Sequence, residues 1–393
     1  MPYVEGRTIH DADSHVVETP DWFFPYADPD IRDRLEPLYV STVKPGEDDL
    51  IDHYRRRHAD EEYRAEDASQ IMLRKNWSAT GSFIKEDRPA ALDLLGFASQ
   101  LVFNTFANKT LQRVEHGELT LAYGTARAHN RAITDFCSVD QRLLAVGYVP
   151  LADFALAAEA ADDAIALGCK ALMIASACPP AHSPSHVGLD GVWARAQEAG
   201  IPVVFHVGGG GRLLDPNYFE NGLPAVPDFH GGAENFRSVD YMAIPYPPMQ
   251  SLATMIIDGV LDRFPELRVG VIEQGGSWLP GWMRAMDSAQ DAFRKNEERL
   301  QALSLRPSEY VHRQVRVTPY PHEDTGWIIE QSGDEICMFS SDYPHVEGGR
   351  NPLARFGNSI ERLTDTARQR FYCDNFVDLM GSALPVELAG SRH

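Results

Sequence analysis

Short apolar runs rich in β-branched residues recur along the chain, and helical spacing fills most of the gaps between them. The runs cover residues 8–13, 100–106, 143–151, 169–175, 202–207, 267–273, 314–318 and 335–340. They are near-continuous rather than alternating, the mark of parallel strands covered on both faces. Apolar spacing near 3.6 predicts helices over 121–136, 154–167, 192–199, 250–264 and 277–300. Asp153 and Asp324 stand where N-caps are useful, and Gly168, Gly200 and Gly333 where helices should end. Eight β units alternating with helices predict an α/β chain folded as a (β/α)8 TIM barrel, with a doubly wound open sheet as the competing arrangement.

Two stretches break the alternation. Residues 18–98 follow the first run and residues 208–249 follow the fifth, the latter opening on Gly208–Gly211. Loops this long usually cover a site, and both leave strand C-terminal ends, where barrels keep their active sites. A single barrel domain over 1–393, with these two insertions, accounts for the length.

Charge narrows the partners. The chain has 36 Lys+Arg against 57 Asp+Glu, a formal net charge of −21. Nucleic acid and anionic membrane surfaces both need a basic face. No apolar run approaches the roughly 20 residues that span a bilayer, and the N-terminus lacks a leader's apolar core. Cys137, Cys169, Cys178, Cys337 and Cys373 are odd in number and without metal-type spacing. The expectation is a cytoplasmic protein with reduced thiols, acting on a small molecule.

Polar residues at strand C-terminal ends carry the candidate chemistry. The first run ends His10-Asp11-Ala12-Asp13-Ser14-His15. Residues two apart share a strand face, so Asp11, Asp13 and His15 point the same way. A carboxylate and an imidazole one residue apart can bind a divalent metal; a surface acidic turn is the plainer reading. His206 ends the fifth run and precedes four glycines, although a lone His in such a run is more often a satisfied core residue. Asp342 follows the eighth run, where it is costly to bury without a cation or donor; a helix cap or loop ion pair is its plainer reading. A closed barrel brings these remote strand ends to one mouth.

These residues give the chain its resemblance to the amidohydrolase superfamily, within the branch called amidohydrolase 2. That branch includes aminocarboxymuconate-semialdehyde decarboxylase and the resorcylate-type decarboxylases. The resemblance rests on Asp11-Ala12-Asp13-Ser14-His15 with Glu18, on Phe205-His206, on Gly275-Gly276-Ser277-Trp278-Leu279-Pro280, and on Ser341-Asp342-Tyr343-Pro344-His345. It implies one divalent metal held by Asp13, His15, His206 and Asp342. Such a donor set suits Zn2+ or Mn2+. It also implies that Asp342 handles a proton, that Asp11 orients a ligand, and that the protein forms dimers or larger homo-oligomers.

One departure stands out. Many members carry a catalytic His in a His-Gly-Gly-Gly motif at the sixth strand, and the matching position here is read as Gln274, after Glu273. Gln cannot titrate. Glu273 is the candidate to take over proton transfer, or else it makes a structural ion pair. His322, His345 and His230 lie near strand ends or in an insertion and are more often structural at such places. Lys170 sits at the wrong end of its strand to bridge metals. Trp22, Phe23, Phe24, Tyr26, Trp77, Phe83, Tyr218, Phe219 and Phe229 read chiefly as a core that stitches loops to the barrel. Arg88, Arg212 and Arg237 are candidates to hold a substrate carboxylate.

The leading expectation is a hydrolase that uses metal-activated water on an amide, ester or activated carbon–carbon bond. The alternative is a non-oxidative decarboxylase of an aromatic or muconate-like acid, placed second because Gln274 replaces the titratable His. A non-catalytic metal-binding barrel is the remaining reading.

Overall fold

The computed structural model describes residues 1–38, 47–208, 213–224 and 238–389. Its centre is a curled, seven-stranded, all-parallel sheet in chain order. The strands are β1 (His10–His15), β2 (Ser99–Phe103), β3 (Leu143–Tyr148), β4 (Ala171–Met173), β5 (Val203–His206), β6 (Val269–Ile272) and β7 (Val315–Val317). Every residue of every strand is buried. Along β2, Leu101 and Phe103 join one apolar cluster while Val102 joins another. Both faces are therefore covered, which is why the runs read as continuous rather than alternating.

The eighth run forms no regular strand. Residues 336–343 nonetheless bond to both edges of the sheet: Met338 N donates to Val317 O (2.9 Å), Ala12 N to Phe339 O (3.1 Å), and Asp342 N to Asp13 O (2.9 Å). Only isolated bridges result, Val317 with Cys337 and Ser14 with Tyr343. The reason is competition for backbone groups: Phe339 N donates to Phe371 O (2.9 Å), and Asn375 Nδ2 donates to Cys337 O (2.8 Å). The C-terminal helical segment thus takes partners that a continuous ladder would need.

Helices follow the apolar spacing closely where caps are present. Asp153 accepts from Ala155 N and Leu156 N (both 3.0 Å) and opens Phe154–Leu167, which Gly168 ends at φ 97°. Asp324 caps Thr325–Ser332 through Trp327 N. The 250–264 and 277–300 expectations each split in two. Gly259, at φ 79°, separates Tyr246–Ile257 from Val260–Arg263; residues 294–297 separate Leu279–Phe293 from Glu298–Ala302. Short helices occupy much of the connection between β1 and β2, among them Arg88–Leu95. Arg212, Phe229, His230 and Arg237 lie outside the described residues. Among the described residues no helix is long and apolar enough to cross a membrane.

Candidate metal centre

β1 delivers Asp13 and His15 to one face, as period-two geometry requires. His15 is fixed from behind: its Nδ1 lies 2.7 Å from Asn104 O, just past β2, which turns Nε2 forward. Asn104 O is held in turn, because the buried Glu18 carboxylate accepts from Thr105 N (3.0 Å), Phe106 N (2.9 Å) and Ala107 N (3.3 Å). The fully buried Arg88 donates to His15 O (3.0 Å) and sits over the Tyr343 ring, so it is a brace for β1 rather than a holder of substrate carboxylate.

β5 brings in His206, packed against the Phe103 ring with centroids 4.5 Å apart. His206 Nε2 lies 3.3 Å from Asp13 Oδ1 and 3.5 Å from Glu273 Oε2, and His15 Nε2 lies 3.2 Å from the same Asp13 oxygen. Asp342 approaches from the far edge, with Oδ1 3.5 Å from His15 Nε2 and 3.1 Å from His345 Nδ1. Two groups of ligand-type atoms therefore share His15: Asp13, His15, His206 and Glu273, and His15, Asp342 and His345. Of the four ligands expected from the sequence, Asp13, His15 and His206 gather in one group. Asp342 reaches it through His15, and Glu273 joins as an additional carboxylate.

Glu273 and Asp342 both sit in left-handed backbone, at φ 52° and 53°. Each turn is pinned. Glu273 N donates to Thr318 Oγ1 (2.8 Å) and its carbonyl accepts from Tyr320 Oη (2.7 Å), while Asp342 N donates to Asp13 O. The turn at Glu273 aims its carboxylate at His206. The next residue, Gln274, sends its carboxamide to Ser176 Oγ instead (2.7 Å). The sixth-strand residue that faces the ligands is thus Glu273, not Gln274.

Electrostatics match a cation-ready cluster. Burial pushes the Asp13 carboxyl up, but the adjoining His15 and His206 imidazoles outweigh it and hold the group below the usual range. Burial lowers His15 to about 3, a neutral ligand form. Burial raises Asp342 to about 6 against the opposing pull of His345. His345 is raised to about 9 because Asp342 overcomes its desolvation. Hydrogen bonding agrees: Thr105 Oγ1 donates to Val16 O, so it accepts from His345 Nε2 (2.8 Å), leaving Nδ1 to face Asp342. Asp13 Oδ2, His15 Nε2 and both Asp342 oxygens are buried without a hydrogen-bond partner. Orphaned acceptors of this kind are costly unless a cation completes them. One divalent metal, Zn2+ or Mn2+, fits this mix of imidazole and carboxylate donors.

Other expected residues support or stand apart. Asp11 accepts from Gln100 Nε2 (2.8 Å), Ser341 N (2.7 Å) and Ser341 Oγ (2.6 Å), tying β1, β2 and the 336–343 segment below the ligands. His322 is exposed, stacked on Tyr320 and 3.0 Å from Tyr241 Oη. Sequence reasoning missed Asn104 and Thr105, which lay inside the 100–106 run but fall just past the observed β2, and Ser176, which follows the 169–175 run. It also missed the half-buried Lys75, whose Nζ donates to Gly349 O (2.6 Å) and for which no pattern gave a signal.

A parallel α/β sheet with a carboxylate–imidazole centre at its C-terminal strand ends defines a class of metal-dependent enzymes. The family described as Amidohydrolase (Amidohydro_2) matches residues 11–378, and the chain belongs to it. No curated protein matches the sequence. Among solved structures, an amidohydrolase from Mycobacterium avium subsp. paratuberculosis K-10 is similar at 21% identity and TM-score 0.73, covering 96% of this chain and 100% of that one. A 5-carboxyvanillate decarboxylase from Novosphingobium aromaticivorans, complexed with manganese and 4-hydroxy-3-methoxy-5-nitrobenzoic acid, is similar at 18% identity and TM-score 0.63, covering 95% and 96%. A dihydroxybenzoic acid decarboxylase from Polaromonas sp. JS666, with manganese and the inhibitor 2-nitroresorcinol, gives 15% identity and TM-score 0.63, covering 98% and 99%. The protein is an enzyme of this family, of the hydrolase or decarboxylase kind.

Proposed function

We propose that the protein is a non-oxidative, metal-dependent decarboxylase of a hydroxylated aromatic acid. In this reading residues 336–343 take the eighth place of a (β/α)8 barrel. Asp13, His15, His206 and Asp342 hold the metal, with Glu273 and His345 flanking them. The observation that carries the reading is the place of Asp342: a buried carboxyl whose Oδ2 has no partner and whose Oδ1 lies between His15 and an inward-facing His345. The bound metal supplies Lewis acidity that fixes and polarises the acid's chelating oxygens. Asp342 hands its proton to the ring carbon that bears the carboxylate. The carbon–carbon bond then breaks, its electron pair restores the aromatic ring, and carbon dioxide leaves. His345 orients the Asp342 carboxyl and stabilises the carboxylate left behind. The fold's likeness to two manganese-bound decarboxylases of aromatic acids supports this choice.

Sequence reasoning put hydrolysis first because the expected His position held Gln274. That ground is weakened by Glu273, a titratable group facing the ligands. The same residue is what favours hydrolysis as the second reading: with Asp342 it gives two carboxylates, one to take a proton from water and one to protonate a leaving group. Turnover of hydroxybenzoic acids by the Mn2+-loaded protein in 18O-water and, separately, in deuterium oxide separates the two. The expected result is carbon dioxide release with deuterium on the vacated ring carbon. Release of an 18O-labelled acid from the matching amides or esters, with no carbon dioxide from the free acids, would establish hydrolysis.

A further inference from the structure

Gln274 is 3% exposed at the C-terminal end of β6, and its carboxamide lies beside the end of β5. Its orientation is fixed by proton accounting. Ser176 Oγ donates to His206 O (3.0 Å), so its single proton is committed. It must therefore accept at 2.7 Å from Gln274, which makes that contact the Nε2 donor. Ser176 is itself held, because Ser251 Oγ donates to its carbonyl (2.7 Å). The other end of the amide, Oε1, is buried and has no hydrogen-bond partner. A fixed, neutral acceptor thus stands unfilled one residue from Glu273 and one hydrogen bond from the His206 backbone. An anion placed there would meet the negative end of the carbonyl dipole, whereas an O–H group would complete it.

We propose that Gln274 Oε1 is a specificity determinant: it selects an aromatic acid carrying a neutral hydroxyl donor beyond the pair of oxygens that chelates the metal. Ser176 is the positioning residue that takes the Nε2 end and leaves Oε1 as the unfilled acceptor. The inference rests on the decarboxylase reading for its substrate class but reads out in binding alone.

The test uses Mn2+-loaded full-length protein and two probes, 2,6-dihydroxybenzoate and 2-hydroxybenzoate, with Kd measured by calorimetry and metal content by mass spectrometry. Each probe chelates through its carboxylate and one hydroxyl; only the first has a second donor. Gln274→Met keeps the side-chain volume and removes the acceptor. Comparing the ratio of the 2-hydroxybenzoate Kd to the 2,6-dihydroxybenzoate Kd in wild type and in the variant cancels the acids' own difference in chelation. The ratio is expected to fall about tenfold in Gln274→Met with metal content unchanged, and to an intermediate extent in Ser176→Ala, where the amide is free to turn. An unchanged ratio in Gln274→Met overturns the proposal, as does failure of both acids to bind. Should Gln274→Met not fold, Gln274→Glu retains an acceptor and is expected to keep the preference; its loss there overturns the proposal too. A ratio that responds as expected without any carbon dioxide release would sink the decarboxylase reading and leave this one standing.

Discussion

The centre is assembled from two kinds of backbone. Asp13, His15 and His206 stand on regular strands, where pleat alternation and ladder bonds set each side chain. Glu273 and Asp342 stand on left-handed turns just past the strands, a conformation that costs a non-glycine residue on the order of 1–3 kcal/mol unless its surroundings hold it. Here Thr318 Oγ1, Tyr320 Oη and Asp13 O do so. The difference points to a division of labour: regular strands fix what must not move, and strained turns aim two carboxylates, Asp342 for proton transfer and Glu273 toward His206. Mutations that strike one kind and spare the other test this division.

The largest effect is expected from His15→Ala, because His15 belongs to both ligand groups. Bound Mn2+ should fall from about one per chain to near zero, and turnover should vanish with it. Metal content by mass spectrometry decides; an undiminished equivalent would refute the shared-hub geometry. Asp342→Asn should cut the rate of carbon dioxide release by about 10²–10⁴, since the amide cannot hand over a proton. It should retain at least half of the metal, because the strand-borne ligands persist. Complete loss of metal would make Asp342 as indispensable to metal binding as the strand-borne residues and erase the proposed division.

That division also explains what could be read from the chain. The strand-borne ligands were legible because a two-residue period and an apolar run fix both their face and their end of the sheet. All seven observed strands fall on predicted runs, and the caps at Asp153 and Gly168 follow from local chemistry. The eighth strand was over-read, because nothing local in 335–340 announces that Phe371 and Asn375 will claim its backbone groups. The same blindness affected the sixth-strand end. Whether Glu273 or Gln274 faces the ligands depends on the sign of one φ angle, which Thr318 and Tyr320 set from the loop beyond β7. Asp11 was legible as a supporting residue but not its partners, since Gln100 on β2 and Ser341 in the 336–343 segment reach it from 89 and 330 positions away.

A smaller effect is expected from His345→Gln. The ring stacks on His15 with centroids 3.8 Å apart and contacts Asp342, yet it contributes to only one of the two ligand groups. Loss of roughly 10–100-fold in rate, with metal content little changed, is the expected outcome for a residue that acts through its neighbour. A shift in the pH profile of turnover should accompany it, since the charge beside Asp342 is removed. A rate loss without any such shift would reduce His345 to a packing role.

The smallest predicted effect isolates the regular framework from the centre altogether. His129 lies fully buried in helix Leu119–Cys137, where its Nδ1 accepts from Trp22 Nε1 (3.3 Å) in the connection after β1. Burial lowers its imidazole from 6.5 to about 3. The sign follows directly. Above pH 6.5 both folded and unfolded chains keep this ring neutral, so its contribution to stability is fully present. As pH falls from 6.5 toward 3 the unfolded chain takes up a proton that the folded chain resists, and stability is lost by on the order of 1.4 kcal/mol per pH unit within that window. His15, lowered for the same reason, titrates in the same window, so acid lability of the metal-free protein mixes framework and centre. His129→Asn keeps an acceptor for Trp22 and cannot titrate. The Tm of metal-free wild type should therefore drop more between pH 7 and about 4.5 than that of the variant, and the residual drop belongs to the other titrating groups, the buried His10 and His15 among them. Parallel curves would place the whole acid loss elsewhere and remove His129 from the account.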